Sequence, residues 1–421
     1  MTILQKIQSA SGMIPTSPGA SSWNDTGFGP ADWRPGRRID SLIVKEKLFF
    51  KWLRRKILFA SPSCRESVIQ AAVTGRDKGR IFRHPEPETP RSRVWPVFVT
   101  FQGCPGRCLF CAQHLQSGHA PQPLSRVLAE MAAGLEEAGR LGRGPYELAF
   151  YGGVFTALPD PWPMRFLETA ARFREAGLVT RVRCSTRPDA CAPGLLARLA
   201  GAGLDMVELG AQTFDDAVLR AAGRGHDAAS VRRAAVDVVR AGMGLGVQLL
   251  PGLPGHTPRE LARDAVEAAA LAPEVVRLHP CLVVDGTPLA GLYREGRYAP
   301  WDLDTTISAL ADALPVLWRA GARVVRIGLC PEPALQAAVL AGPAHPALGA
   351  RVRARALLGL VAAEVRAMGG FAGALAAPRR FAGEFFGHAG ELRPAYAALG
   401  LGRHNVRFEA RADFLLTARE V

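Results

Sequence analysis

From Val94 onward the chain alternates short apolar runs with Ala-, Leu- and Arg-rich stretches of helical period. The runs Val97 to Phe101, Glu147 to Tyr151, Thr180 to Cys184, Met206 to Leu209, Gly246 to Leu250 and Val275 to His279 read as strands. Five helical stretches separate these six strands, and that alternation predicts βαβ units and a parallel sheet. Beyond Pro280 the pattern predicts a loop carrying Thr287 and Pro288, then a helix near Thr305 to Arg319. A further apolar run covers Arg323 to Leu329, a helix Ala350 to Met368, and strands are expected near Ala382 to Gly387 and Val406 to Phe414. Repeats of solenoid type are absent.

The first ninety residues follow another pattern. All six lysines lie at or before Lys78, and the segment ends in HPEPETPRSR, which reads as a linker. Within it SLIVKEKLFFKWLRRKILFA predicts one basic amphipathic helix with Leu42, Phe49, Leu53 and Ile57 on one face, suited to a membrane surface or RNA. The plainer reading is a poorly ordered extension, dispensable for chemistry.

Composition changes this picture little. Hydrophobic residues make up 48% of the 421, and no run of eighteen uncharged apolar residues occurs, so no stable membrane insertion is expected. The opening residues lack the apolar core of a secretory signal, and eight dispersed cysteines suit a reducing compartment, so a cytoplasmic location is expected. The formal net charge is +14, but residues 1–78 hold 13 Lys and Arg against 6 Asp and Glu, while the remaining 343 residues hold 39 against 32. Most of the chain is therefore only mildly basic, which permits an RNA partner without requiring one.

Candidate chemistry gathers at the predicted strand ends. After the first strand, VFVTFQGCPGRCLFCAQ sets out Cys104, Cys108 and Cys111 at C-x3-C-x2-C spacing. Three thiolates suit a 4Fe–4S cubane with one iron left open, whereas adding His114 gives a Cys3His zinc set. Parallel barrels place functional groups at the C-terminal ends of their strands. There the second strand ends in Gly152 and Gly153, which allow close approach to the backbone or simply make a tight turn. The third ends in Thr186 and Arg187, where the guanidinium suits a bidentate carboxylate or pairs with nearby Asp189. The fourth carries Glu208 and Gln212, suited to ribose hydroxyls. The fifth ends in a Pro-Gly loop with Gly252 and Gly255, fit to cover an adenine or to serve as ordinary turn glycines. Arg277, His279, Arg326 and Gly328 lie farthest from the cysteines in strand order, better placed for a substrate. Cys64, Cys184, Cys191, Cys281 and Cys330 show no second cluster spacing and read as buried small apolar residues.

Taken together, GCPGRCLFC, FYGGVFTALP, STRPD, VELGAQT, RGHD, LPGLPG and VRIGL resemble the radical S-adenosylmethionine (radical SAM) superfamily. The resemblance is to the branch related to the Elongator catalytic subunit and oxygen-independent coproporphyrinogen III oxidase, and it covers about Val97 to Gly349. It implies an α/β fold, a partial (β/α)6 TIM-like barrel over residues 93–330. A basic extension and linker over 1–92 would precede it and a C-terminal α+β extension over 331–421 would follow. It further implies a 4Fe–4S cluster on Cys104, Cys108 and Cys111, and SAM held by Gly152, Gly153, Thr186, Arg187, Glu208, Gln212 and Gly252. Reductive cleavage of SAM to a 5′-deoxyadenosyl radical would then abstract a substrate hydrogen, fed by an external electron donor of flavodoxin or ferredoxin type. The substrate reads as RNA, or alternatively as a small metabolite or peptide; a zinc-stabilised binding protein without turnover is the third reading. Three departures stand out: the Elongator subunit spaces its first two cysteines more widely, no acetyltransferase sequence shows in the last seventy residues, and Ala112 and Val154 replace polar residues.

Overall fold

A computed structural model describes residues 79–88 and 93–418. The amphipathic stretch around Leu42 to Ile57 and Cys64 lie outside the described residues. Thirteen strands are found among them: β1 (Arg80–Phe82), β2 (Arg93–Phe98), β3 (Tyr146–Tyr151), β4 (Val179–Thr186), β5 (Met206–Gln212), β6 (Gly244–Leu249), β7 (Val275–Leu278), β8 (Val283–Val284), β9 (Arg323–Ile327), β10 (Val339–Ala341), β11 (Ala372–Pro378), β12 (Val406–Glu409) and β13 (Phe414–Ala418).

Seven of these form one parallel sheet in the order β2-β3-β4-β5-β6-β7-β9, curled into a half-barrel with β2 and β9 as its free edges. Its outer face is covered by the long helices α1 (Leu124–Arg140), α2 (Trp162–Glu175), α3 (Pro193–Gly201), α4 (Ala228–Arg240), α5 (Pro258–Ala270) and α6 (Leu303–Arg319). These helices form where the apolar period is helical: α1 buries Leu124, Val127, Met131, Leu135 and Ala138 along one stripe. Asp227 caps α4 and Asp302 caps α6, each side chain accepting from a backbone N–H of the first turn, and α3 and α5 open on proline.

The strands alternate as period-2 geometry requires. In β4, Val182 and Cys184 point outward into the helix-covered core, while Arg183 and Ser185 point into the half-barrel. The inner face is thus polar, and this is why charged residues interrupt the apolar runs.

A second module follows. α7 (Leu348–Ala367) lends Leu348, Val352 and Ala356 to the barrel core, and Ala354, Leu357, Val361 and Val365 to a second core built on a four-stranded sheet of order β1-β13-β11-β12. Strands β8 and β10 form a separate antiparallel pair.

Several expectations are corrected. The first barrel strand ends at Phe98, because the Val99 carbonyl already accepts from Gln102 N at 3.0 Å and Phe101 turns at φ +59°. The run from Arg323 is a seventh strand of the same sheet, paired in parallel with β7. No strand covers Ala382 to Gly387; turns follow a short 3-10 helix at Arg379–Phe381. The strand lies earlier, in the alanine-rich β11, where tertiary burial of Ala372, Leu375 and Ala377 overrides weak propensity. Val406 to Phe414 divides into β12 and β13. Within the expected N-terminal extension, Arg80–Phe82 pair with β13 and belong to the second module.

Candidate metal centre and active site

Alternate residues of the seven strands line a cavity of about 1430 Å³, open along the inner face of the half-barrel. Cys104, Cys108, Cys111, Gly152, Gly153, Thr186, Arg187, Glu208 and Gln212 all border it. The sheet's strand order therefore gathers residues spread over more than a hundred positions of sequence.

The cysteine loop is held by its own turns and by one side chain. Cys104 N donates to Phe101 O (3.4 Å) and Cys111 N to Cys108 O (3.1 Å). Gln113 then ties two segments together, its Oε1 accepting from Phe101 N at 2.6 Å and from Gly153 N at 2.8 Å. A side chain at Gly153 would run into the carbonyls of Val99 and Gln102, and the backbone there has φ +61°. The glycine pair thus serves first to let the cysteine loop cross over β3. From the other side Leu109 N donates to Ala222 O (3.2 Å), and Leu289 N to Leu109 O (3.0 Å).

The three thiols are free of disulfides; Cys108 is buried and the other two are half-buried. Burial first, then the neighbouring Cys108 and Cys104, pushes the Cys111 thiol up to about 11, and burial likewise raises Cys104. Three crowded thiols of this kind gain most from a cationic centre, which offsets lost hydration and mutual repulsion together. Arg224 Nη1 donates to Cys108 Sγ at 3.1 Å, while its Nη2 donates to Gly210 O at 2.8 Å. His114 does not border the cavity; its ring stands 5.8 Å from that of Phe101. Three sulfurs and no histidine therefore border the cavity, a count that suits a cubane with one open iron and lacks the fourth ligand of a closed zinc site, although among the described residues no three His, Cys, Asp or Glu side chains are drawn together as a metal-holding group.

The expected nucleotide contacts divide. Thr186 Oγ1 shares a 2.6 Å hydrogen bond with Thr156. Arg187 is 8% exposed and forks onto Asp189, through Nε at 2.9 Å and Nη2 at 2.7 Å, so the pairing with Asp189 is realised, but buried at the cavity wall. Gln212 sits at φ +69°, where β5 bulges against β6, and receives a hydrogen bond from Gln248 Nε2 (3.3 Å).

Glu208, 3% exposed, does not stand free for a ligand. Arg277 Nε donates to it at 2.5 Å, Arg183 Nε lies 3.4 Å away, and Tyr151 OH donates at 3.3 Å. Burial opposes the charge of Arg277, yet Glu208 and Tyr151 outweigh it and hold the guanidinium charged. Burial and then Glu208 push the Tyr151 phenol up.

Gly252 falls outside the cavity. It lies in a buried turn at φ +86°, its N–H donating to His256 Nδ1 (3.2 Å) and its carbonyl accepting from Tyr298 OH (2.5 Å). Leu250 borders the cavity from that strand instead. Among the remaining cysteines, Cys184, Cys191 and Cys281 are buried as expected, but Cys330 is exposed at the cavity edge. Gln113, Tyr151, Arg183, Arg224 and Gln248 also border the cavity, and the sequence pattern did not single them out. For Arg224 the RGHD motif was the available signal.

A profile of the Radical SAM superfamily matches residues 98–267, and one of the Radical_SAM C-terminal domain matches residues 273–357. The chain is 28% identical over 256 residues to tRNA uridine(34) acetyltransferase of Dehalococcoides mccartyi (strain CBDB1), covering 52% of this chain and 56% of that protein. It is 26% identical over 216 residues to Elongator complex protein 3 of Danio rerio, covering 46% of this chain and 39% of that protein. It spans about half the length of the curated relatives it matches first. Among solved structures, Elp3 of Methanocaldococcus infernus with an N-terminal deletion aligns with a TM-score of 0.49 at 22% identity, covering 62% of each chain. Among the described residues, no helix is long and apolar enough to cross a membrane. The chain belongs to the radical SAM superfamily, a family of enzymes whose cofactors are a 4Fe–4S cluster and S-adenosylmethionine.

Proposed function

We propose that Cys104, Cys108 and Cys111 hold the cluster and that SAM lies along Gly152, Thr186, Arg187 and Gln212, with an RNA as the molecule acted on. The observation that carries this reading is the meeting of three free thiols with those strand-end residues around one cavity. When bound, the cofactors supply a reductively generated 5′-deoxyadenosyl radical that takes a hydrogen atom from the substrate, the electron coming from a flavodoxin- or ferredoxin-type donor.

The chain's own part is to bind, orient and exclude water. Gln113 fixes the cysteine loop against the glycine turn, and Arg224 donates to the Cys108 sulfur. Arg187, already charged and held in plane by Asp189, offers its remaining N–H groups to the methionyl carboxylate. The network of Glu208, Arg277, Arg183 and Tyr151 sets the polarity of the cavity wall rather than binding ribose. RNA as substrate draws support from the relative named tRNA uridine(34) acetyltransferase.

The test is anaerobic reconstitution with iron and sulfide, addition of SAM and dithionite, and mass spectrometry for 5′-deoxyadenosine. Its formation is expected in the wild type and its loss, with loss of iron, in Cys108→Ala; full iron loading of that variant would sink the ligand assignment. For the substrate, tRNA affinity should fall steeply between 50 and 200 mM salt, on the order of tenfold or more for a few phosphate contacts. Salt-independent or absent tRNA binding would favour a small metabolite or peptide instead.

A further inference from the structure

The cavity is larger than one ligand requires: about 1430 Å³ exceeds the roughly 300–1,000 Å³ of ordinary small-molecule sites. The residues proposed for the cluster and SAM come from the loop after β2 and from β3, β4 and β5. The wall formed by β7 and β9 is left over, and it carries Arg277, His279 and Arg326.

On that wall Arg277 and Arg326 are direct register partners on adjacent parallel strands, and both border the cavity. Two guanidinium groups in neighbouring positions repel unless acids sit between them. Arg277 has its acid, since Glu208 accepts from it at 2.5 Å, and it also donates to Tyr151 OH. Arg326 makes no hydrogen bond or ion pair with any described residue. Of its inner-face neighbours, Arg183 lies beside Glu147 and Glu208 and Arg277 is held by Glu208, so neither acid is left over for Arg326. The other acids bordering the cavity do not neutralise it: Glu86 is held by Arg353 at 2.5 Å, Glu88 by Arg380, and the charges that face Glu384 are Arg353, Glu86 and Arg380.

His279 lies two residues beyond Arg277 on the same inner face, and its Nε2 is shielded from solvent with no hydrogen-bond partner. Burial, then Arg277 and Arg326, pushes the imidazole down to about 3, so the ring is neutral at working pH and carries one N–H. An uncompensated guanidinium and an unpaired ring nitrogen on the same wall form the kind of donor set that charge-assisted recognition of an oxyanion uses.

We propose that Arg326 and His279 form a substrate subsite for an oxyanion, phosphate or carboxylate, on the wall across the sheet from the cysteine loop. The assignment rests on the function proposed above only in taking the opposite wall to be occupied by the cluster and SAM. It makes Arg326 a binding residue that reads the substrate and leaves SAM affinity to other groups.

The test uses the anaerobically reconstituted holoenzyme saturated with SAM, and follows the line widths of inorganic phosphate by ³¹P NMR and of ¹³C-carboxyl acetate by ¹³C NMR. Broadening of either probe is expected, and the probe that broadens identifies the class of oxyanion. Arg326→Gln should weaken that binding roughly tenfold, the scale of one charge-assisted hydrogen bond, while Arg326→Lys keeps most of it and His279→Gln lowers it severalfold. SAM affinity and melting temperature should stay at wild-type values in Arg326→Gln. Absence of broadening for both probes, or equal broadening in wild type and Arg326→Gln, would overturn the proposal. If Arg326-dependent binding persists in a protein that yields no 5′-deoxyadenosine, the subsite stands and the proposed function fails.

Discussion

Gly153 carries more of the site than its size implies. Its φ of +61° costs an L-residue about 1–2 kcal/mol, and an added methyl would meet the backbone carbonyls of Val99 and Gln102, neither of which is a flexible side-chain end. Gly153→Ala is therefore expected to destabilise the protein by more than about 2 kcal/mol and to lower iron incorporation. A methyl group added at Gly106, in the cysteine loop, would meet nothing within 4 Å, so Gly106→Ala should leave both unchanged. Thermal unfolding and iron content of the two variants check this pair. At this scale the cysteines were legible because their chemistry depends on spacing along the chain. The glycine pair was legible as a place of close approach, but the approaching group is the protein's own loop. Arg224 and Gln113 escaped because their partners are set by the fold: Arg224 lies 116 residues from Cys108, and Gln113 lies 40 from Gly153.

Strands that carry charge on one face and apolar residues on the other make the half-barrel both a core element and a binding wall. Glu208 on β5 is the point at which these demands meet, being 3% exposed and shared between Arg277 and Arg183. Removing its charge leaves Arg277 without its acid and Arg183 with Glu147 alone, at 3.5 Å, and breaking a buried pair in this way costs about 3–5 kcal/mol. Glu208→Gln should therefore lower the urea midpoint of unfolding sharply; were Glu208 only a ribose ligand, SAM affinity would fall with no change in that midpoint. The strand count shows the same limits at element scale. Six barrel strands were legible from β-branched and large apolar residues flanked by helical pattern. The seventh, RVVRI, read only as an apolar run because two arginines interrupt it, and both of them border the cavity. β11, sequence AGALAAP, carries almost no strand propensity and exists because β12 and β13 pair with it on either side.

Across the whole described fold, the second module is joined to the barrel by α7 and by the segment after β1. Phe82 stacks on Phe414 at 4.7 Å, and two residues later His84 wedges between Trp318 of α6 at 4.5 Å and Phe381 of the second module at 4.9 Å. Burial, then Arg380 and Arg353, pushes His84 down to about 4, and His226 is likewise lowered to about 4 by burial and Arg224. A folded value below the unfolded 6.5 means that the unfolded chain takes up the proton first. Stability is thus unaffected by these groups above pH 6.5, falls as pH drops from 6.5 towards 4, and has lost their full contribution below that. For half-buried His84 the loss amounts to about 2 kcal/mol once solvent screening is allowed for. His84→Gln keeps a planar polar group at the wedge but cannot take up a proton. Its urea midpoint should fall less than that of the wild type between pH 7 and pH 4.5, whereas parallel curves for the two proteins would place the acid sensitivity at His226 and His279, away from the junction of the two modules.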